Sequence, residues 1–256
     1  MKLAILQFDI CWENKPANFR KVRALAEGIG DNIDLLVLPE LFSTGYTMRS
    51  RKLAEDLQRG ETPRFLAGLA RDMKAHVCGS FIAKTGEKPE NTAVMFNPRG
   101  DSVLRYSKIH LMSLTKENRH YSPGRELPVV DFEGNGLAVT ICYDLRFPEL
   151  FLHLVRNEAA CVINLANWPA ERIAHWDILL RARAIENQIY MVGANRIGES
   201  PMGACPGHSA VIDPAGKLVA SGAEEMDKAV IAEIDFGYVA EVRERFPVLE
   251  DKKLGL

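Results

Sequence analysis

The apolar residues of this chain fall into short continuous runs and into longer stretches where they recur three and four residues apart. Runs of the first kind predict strands buried on both faces, and stretches of the second kind predict helices with one buried stripe. Residues 3–8 form such a run. Pro16 then opens a helix with Phe19, Val22, Leu25, Ala26 and Ile29 on one face, closed near Gly28 and Gly30. Residues 34–38 are a second buried run that leads straight into Pro39 and Glu40. A helix over 63–74 follows, with Phe65, Leu66, Leu69, Ala70 and Met73 as its stripe. This β-α-β-α rhythm predicts a sheet covered by helices.

The rhythm then changes. Residues 77–82, 92–96 and 102–106 read as strands in quick succession, with a turn at Asn97-Pro98-Arg99-Gly100, so this section is expected to be antiparallel. It leads through Ser107-Lys108-Ile109-His110-Leu111 into a polar connection over 112–125, a length more often functional than idle inside a compact domain. The second half repeats the order. A strand ends at Ile141, Pro148 opens a helix with Leu150, Phe151, Leu154 and Val155, and a strand over 161–165 leads to Ala166-Asn167-Trp168-Pro169. A helix over 172–187, a strand over 189–194 and a Gly/Pro-rich loop over 198–207 come next. Short strands at 210–212, 218–220 and 230–234, a helix over 238–246 and a charged tail complete the chain. The doubled rhythm predicts an α/β fold of two sheets packed face to face with helices outside. Lacking any linker or fixed-period repeat, residues 1–256 read as one domain.

Composition narrows the function classes. Hydrophobic residues make up 47% and charged residues 26%, and the formal net charge is −2. That balance, with no basic or acidic block, gives no electrostatic reason to expect nucleic acid or a membrane surface as partner. The five cysteines, Cys11, Cys78, Cys142, Cys161 and Cys205, contain no C-x-x-C pair and suit a reducing compartment rather than a disulfide framework. No charged-then-apolar leader and no membrane-length apolar run is read, so the cytoplasm is expected.

Common catalytic signatures are missing. Gly207-His208-Ser209-Ala210-Val211 lacks the last glycine of G-x-S-x-G, and there is no H-E-x-x-H, P-loop or G-x-G-x-x-G. No metal and no cofactor is therefore expected. What remains is Glu40, Lys108 and Cys142, each just beyond a strand. Sites in open α/β sheets lie beyond the carboxyl ends of strands. At the turn from strand to helix, Cys142 would feel the partial positive charge of a helix start, which lowers a thiol pKa, and the following amides would face a developing oxyanion. A carboxylate, an ammonium and a thiol together make a nucleophilic site. From spacing alone, though, the simpler reading keeps Glu40 and Lys108 as solvated strand-end charges that never meet, and Cys142 as a small apolar filler.

Three stretches change that balance. Leu38-Pro39-Glu40-Leu41-Phe42, Tyr106-Ser107-Lys108-Ile109-His110-Leu111 and Ile141-Cys142-Tyr143-Asp144-Leu145-Arg146-Phe147-Pro148-Glu149 resemble three motifs of the nitrilase (carbon–nitrogen hydrolase) superfamily, in that family's order. His175-Trp176 and Arg181-Ala182-Arg183-Ala184-Ile185-Glu186-Asn187 extend the match over nearly the whole chain. The resemblance implies a four-layer α-β-β-α sandwich with a Glu-Lys-Cys triad. Glu40 would be the general base, Lys108 the oxyanion stabiliser and Cys142 the nucleophile, with the Tyr143 N–H completing the oxyanion hole. Glu117 fits the family's second glutamate, which would orient substrate, the lysine or the attacking water; the lesser reading is an exposed loop carboxylate.

The cysteine motif is most similar to the omega-amidase and related Nit-type branch. That implies hydrolysis of the terminal amide of small ω-amides, such as 2-oxoglutaramate or 2-oxosuccinamate, to carboxylate and ammonia through a thioester. Asn167-Trp168-Pro169-Ala170 resembles a bacterial subset of that branch and is expected to line the pocket, unless Trp168 is core. Tyr46 is a further pocket candidate, and Arg146 and Arg172 are candidates for the substrate's far carboxylate. Rival readings are a nitrilase, a deaminated-glutathione amidase and, from a different class, a catalytically idle interaction subunit. The partners implied are an amide substrate, water and a second copy of the chain in a homodimer or higher assembly, for which the apolar helices over 147–155 and 178–185 are suited.

Overall fold

The computed structural model describes residues 1–30, 32–222 and 226–253; the last three residues of the charged tail lie outside them. Two six-stranded mixed sheets carry the fold. The first takes β1 (Lys2–Gln7), β2 (Leu35–Val37), β3 (His76–Ala83), β4 (Glu90–Phe96) and β5 (Ser102–Ser107). The second takes β6 (Val129–Phe132), β7 (Asn135–Ile141), β8 (Ala159–Ala166) and β9 (Tyr190–Asn195). After the short pair β10 (Ile197–Gly198) and β11 (Cys205–Pro206), it adds β12 (Ser209–Ile212) and β13 (Leu218–Gly222). The last strand, β14 (Lys228–Glu233), returns to the first sheet and pairs antiparallel with β1, Lys2 opposite Glu233.

The sheet orders are β14-β1-β2-β3-β4-β5 and β6-β7-β8-β9-β12-β13. Read in that direction both sheets show one antiparallel pair, two parallel pairs and two antiparallel pairs. The doubled rhythm of the sequence is therefore a structural near-repeat, with one exchange: the edge strand of the first unit is supplied by the far end of the chain. The pattern does not announce β6 either. Val129-Val130-Asp131-Phe132 is too brief to stand out from the polar connection before it.

Period-two alternation places the side chains. Leu3 and Ile5 of β1 point into the core shared by both sheets, beside Leu35, Val37, Val139 and Ile163. Ala4 and Leu6 point the other way, onto a layer with Leu36, Val22 and Leu66. Val22 belongs to α1 (Lys15–Glu27) and Leu66 to α3 (Glu61–Met73), so these helices cover the first sheet. The short α2 (Ser50–Leu53) and α4 (Glu117–His120) lie in connections. On the second sheet, Phe151 and Leu154 of α5 (Pro148–Arg156) and Trp176, Leu180 and Ala184 of α6 (Ile173–Asn187) join the buried cluster. A last helix, α7 (Phe236–Arg245), closes the described chain. The result is an α-β-β-α sandwich. No helix among the described residues is long and apolar enough to cross a membrane.

Candidate active site

The polar residues after β2, β5, β7 and β8 meet at one end of the sandwich. Glu40 stands three residues beyond β2, and the chain turns sharply behind it: Leu41 is left-handed at φ 47° and its N–H is held by Ser80 Oγ of β3 at 2.7 Å. Lys108 follows β5 directly, its N–H bonded to Asn91 O at 2.9 Å. The polar connection folds back on it, and Gly124 N–H donates to Lys108 O. Any Cβ at Gly124 would lie 2.1 Å from Ser107 O, so the close return requires glycine. Cys142 follows β7 directly in the left-handed region, φ 47°, and opens a 3-10 turn over Cys142–Arg146. A β-carbon residue held there is strained backbone of the kind found where a side chain must be aimed.

The charged groups are buried together. Lys108 Nζ donates to Glu40 Oε1 at 3.0 Å and to Glu117 Oε1 and Oε2 at 2.9 and 3.2 Å. Both carboxylates and the ammonium are sealed from solvent. Glu40 also accepts from Asn91 Nδ2 at 2.8 Å and from the Asn167 N–H at 2.9 Å. Glu117 accepts from the Met112 N–H at 2.7 Å. It is therefore no loop carboxylate in water. Its segment is pinned by Tyr121 Oη on Thr47 O at 2.6 Å and Ser50 Oγ on His120 O at 2.7 Å.

Two acids share one cation in a dry site. Burial by itself would lower the Lys108 pKa, but the Glu117 and Glu40 carboxylates outweigh it and hold the ammonium firmly protonated. Burial pushes the Glu117 carboxyl up, opposed by Lys108 and aided by Glu40. The Cys142 thiol goes up as well, through burial first and then the charge of Glu40, with Lys108 and the Asn167 main chain pulling the other way. This corrects the expectation of a lowered thiol pKa. The turn after Cys142 is a brief 3-10 segment rather than the start of a long helix, and burial with the Glu40 charge exceeds what Lys108 and the Asn167 main chain return. A thiol held neutral next to a carboxylate calls for proton removal at the moment of attack.

A pocket of about 40 Å³ opens onto this cluster, room for a few water-sized groups. Its wall includes Cys142, Lys108, Tyr46, Asn167, Met112 and Arg172. Tyr46 packs its ring 5.2 Å from Lys108 Nζ and shares a hydrogen bond with Thr115 Oγ1. Glu40 and Glu117, bonded to Lys108, are not themselves part of the pocket wall, and three further expected residues also stand apart from it. Trp168 is core: it packs on Trp176, and its N–H is held by Asn195 Oδ1 at 2.7 Å. Arg146 lies over the Trp168 ring at 4.7 Å, beside His175 Nδ1 at 3.3 Å. The Tyr143 ring meets Phe147 edge-on, while its N–H belongs to the leading amides of the 3-10 turn, which have no carbonyl to bond within that turn. Among the described residues no cluster of three or more His, Cys, Asp or Glu is arranged to hold a metal ion.

Sequence reasoning passed over Asp144. Fully buried, it accepts from Tyr106 Oη at 2.6 Å, the Ile141 N–H at 3.0 Å and the His110 N–H at 2.9 Å. It ties the cysteine turn to the lysine segment. Its signal in the sequence was an acid two residues after Cys142, directly behind a buried apolar run. Arg183 was also passed over; its buried guanidinium donates to Leu145 O at 3.1 and 2.9 Å and anchors the same turn to α6.

Comparison with known proteins adds the following. The family profile described as carbon–nitrogen hydrolase matches residues 2–244. The omega-amidase YafV of Escherichia coli K12 is 34% identical over 252 residues, covering 98% of this chain and 96% of the relative. The 2-oxoglutaramate amidase of Bacillus subtilis is 35% identical over 250 residues, covering 97% and 96%. The crystal structure of XC1258 from Xanthomonas campestris, a CN-hydrolase superfamily protein, superposes with a TM-score of 0.93 at 30% identity, covering 100% and 98%.

Proposed function

The chain belongs to the carbon–nitrogen hydrolase family and is an amide-cleaving hydrolase; from that premise we propose that it is an ω-amidase working through a Glu40-Lys108-Cys142 triad. The observation that carries this reading is the burial of one ammonium between two carboxylates in a pocket whose wall holds a thiol. Relatives named omega-amidase and 2-oxoglutaramate amidase support the substrate class.

The chemistry runs in two halves. Cys142 Sγ attacks the amide carbon while Glu40 takes the thiol proton. The carbonyl oxygen, now an oxyanion, rests on Lys108 Nζ and the Tyr143 N–H. Glu40 passes the proton to nitrogen, the C–N bond breaks and ammonia leaves, giving a thioester on Cys142. Glu40 then takes a proton from water, the hydroxide adds to the thioester carbon, the C–S bond breaks and the thiol is re-protonated. Glu117 keeps Lys108 charged and aimed throughout. Asn167, whose N–H holds Glu40 Oε2 and whose side chain holds Glu40 O, fixes the base.

On this reading the span 1–256 is a single hydrolase domain acting in the cytoplasm as a homodimer or higher assembly, joined through the face of α6 that carries Ile178 and Ile185, both exposed. The deciding experiment measures ammonia release from 2-oxoglutaramate, succinamate, deaminated glutathione and a simple nitrile. Turnover highest on the first two is expected. A clear preference for deaminated glutathione or for the nitrile overturns the ω-amidase assignment.

A further inference from the structure

An ω-amide of a dicarboxylic acid carries a carboxylate that must not be buried unpaired. Among the described residues lining the pocket, the cations are Lys108 and Arg172. Lys108 is occupied by Glu40 and Glu117. Arg172 is differently placed. Its side chain is 31% exposed and has Glu171 as its ion-pair partner at 3.4 Å, and Glu171 is itself 82% exposed. Such a pair is weak and readily exchanged. Cys142 is only 5% exposed, so Arg172 sits toward the mouth and the thiol at the floor.

We propose that Arg172 determines specificity by binding the carboxylate at the far end of the substrate. This rests on the ω-amidase reading and names the residue that enforces it. The backbone there is fixed independently of the side chain, because Arg172 O accepts from Trp168 Nε1 at 2.7 Å. The guanidinium is thus offered from a rigid anchor, in the fork geometry that suits a carboxylate. The same wall also carries Met112, Met202 and Pro169, adaptable apolar surface against which a short methylene chain can lie. The pocket therefore complements its ligand: a nucleophile for the amide at Cys142, apolar wall for the methylenes and a cation for the carboxylate at Arg172. Arg146, the alternative cation, is held over Trp168 and against His175 and does not line the pocket. It contributes field instead. The charge of Arg172 adds to burial in lowering the Arg146 pKa, so the two guanidiniums repel and an anion near them is favoured.

The test compares succinamate with butyramide, which has a methyl group in place of the carboxylate, on wild type, Arg172→Met, Arg172→Lys and Arg146→Met. For wild type, succinamate is expected to be preferred in kcat/KM. In Arg172→Met that preference should fall about 10- to 100-fold, the worth of a charge-assisted pair, chiefly through KM. Arg172→Lys should recover part of it, and Arg146→Met should keep most of it. If Arg172→Met and Arg172→Lys keep the wild-type preference, or Arg146→Met alone abolishes it, Arg172 is not the carboxylate site although the ω-amidase reading stands. If wild type shows no preference for succinamate, the ω-amidase reading falls, and this inference with it.

Discussion

At the scale of the residue, the site depends on where protons rest. The Cys142 thiol lies above the ordinary value of 9.0 because burial and the Glu40 charge disfavour thiolate. A thiol with a raised pKa stays protonated at neutral pH, and its thiolate fraction grows only as pH climbs past the ordinary value. Alkylation of Cys142 by iodoacetamide, followed by mass spectrometry, should therefore accelerate steadily with pH through 9.0. A plateau already reached at neutral pH would mean a resting thiolate and contradict this. Asp144 gives a second prediction. Asp144→Ala leaves the buried Tyr106 hydroxyl and Ile141 N–H, and the part-buried His110 N–H, without an acceptor and should cost about 2–4 kcal/mol in urea unfolding, with loss of activity because the Cys142 turn is released. A variant as stable and active as the parent would show that the turn holds itself. Glu40, Lys108 and Cys142 could be picked out as strand-end residues, but the spacing carried no information on whether they meet. The sign of the thiol shift was not readable at all, since it depends on burial by residues distant in sequence.

At the scale of the element, most strands and helices were legible because their apolar periods are strong and their ends are marked by glycine and proline. The exceptions have local causes. β6 is short and half-exposed. The 112–125 connection looks like a loop by composition, yet it carries a buried carboxylate and a buried Tyr121 that lock it down. Tertiary contacts there override a polar pattern. Helix α6 seats on β9 through a glycine: a Cβ at Gly193 would lie 2.6 Å from Leu180 Cδ1 and 2.6 Å from Trp176 Cζ2. Gly193→Ala should destabilise by about 1–3 kcal/mol through overpacking, read as a lower urea midpoint. An unchanged midpoint would mean that α6 can shift without cost.

At the scale of the molecule, the doubled sheet pattern was visible in the order of elements, but the crossing of β14 to β1 was not, because pairing between the ends of a chain leaves no local mark. The four-layer sandwich came from the family resemblance and the rhythm together. The proposed homodimer draws on α6, where Ile178 is 66% exposed, an unusual position for a large apolar side chain on a surface helix. Ile178→Asp should shift sedimentation toward monomer while far-UV circular dichroism stays unchanged; an unaltered assembly would place the interface elsewhere. The central claim is that one sulfur cleaves the amide. Its most direct test is the initial rate of ammonia release from 2-oxoglutaramate by Cys142→Ala beside wild type, with matching folded spectra. A fall of about 10⁴-fold or more is predicted, and a variant within tenfold of wild type would contradict the account.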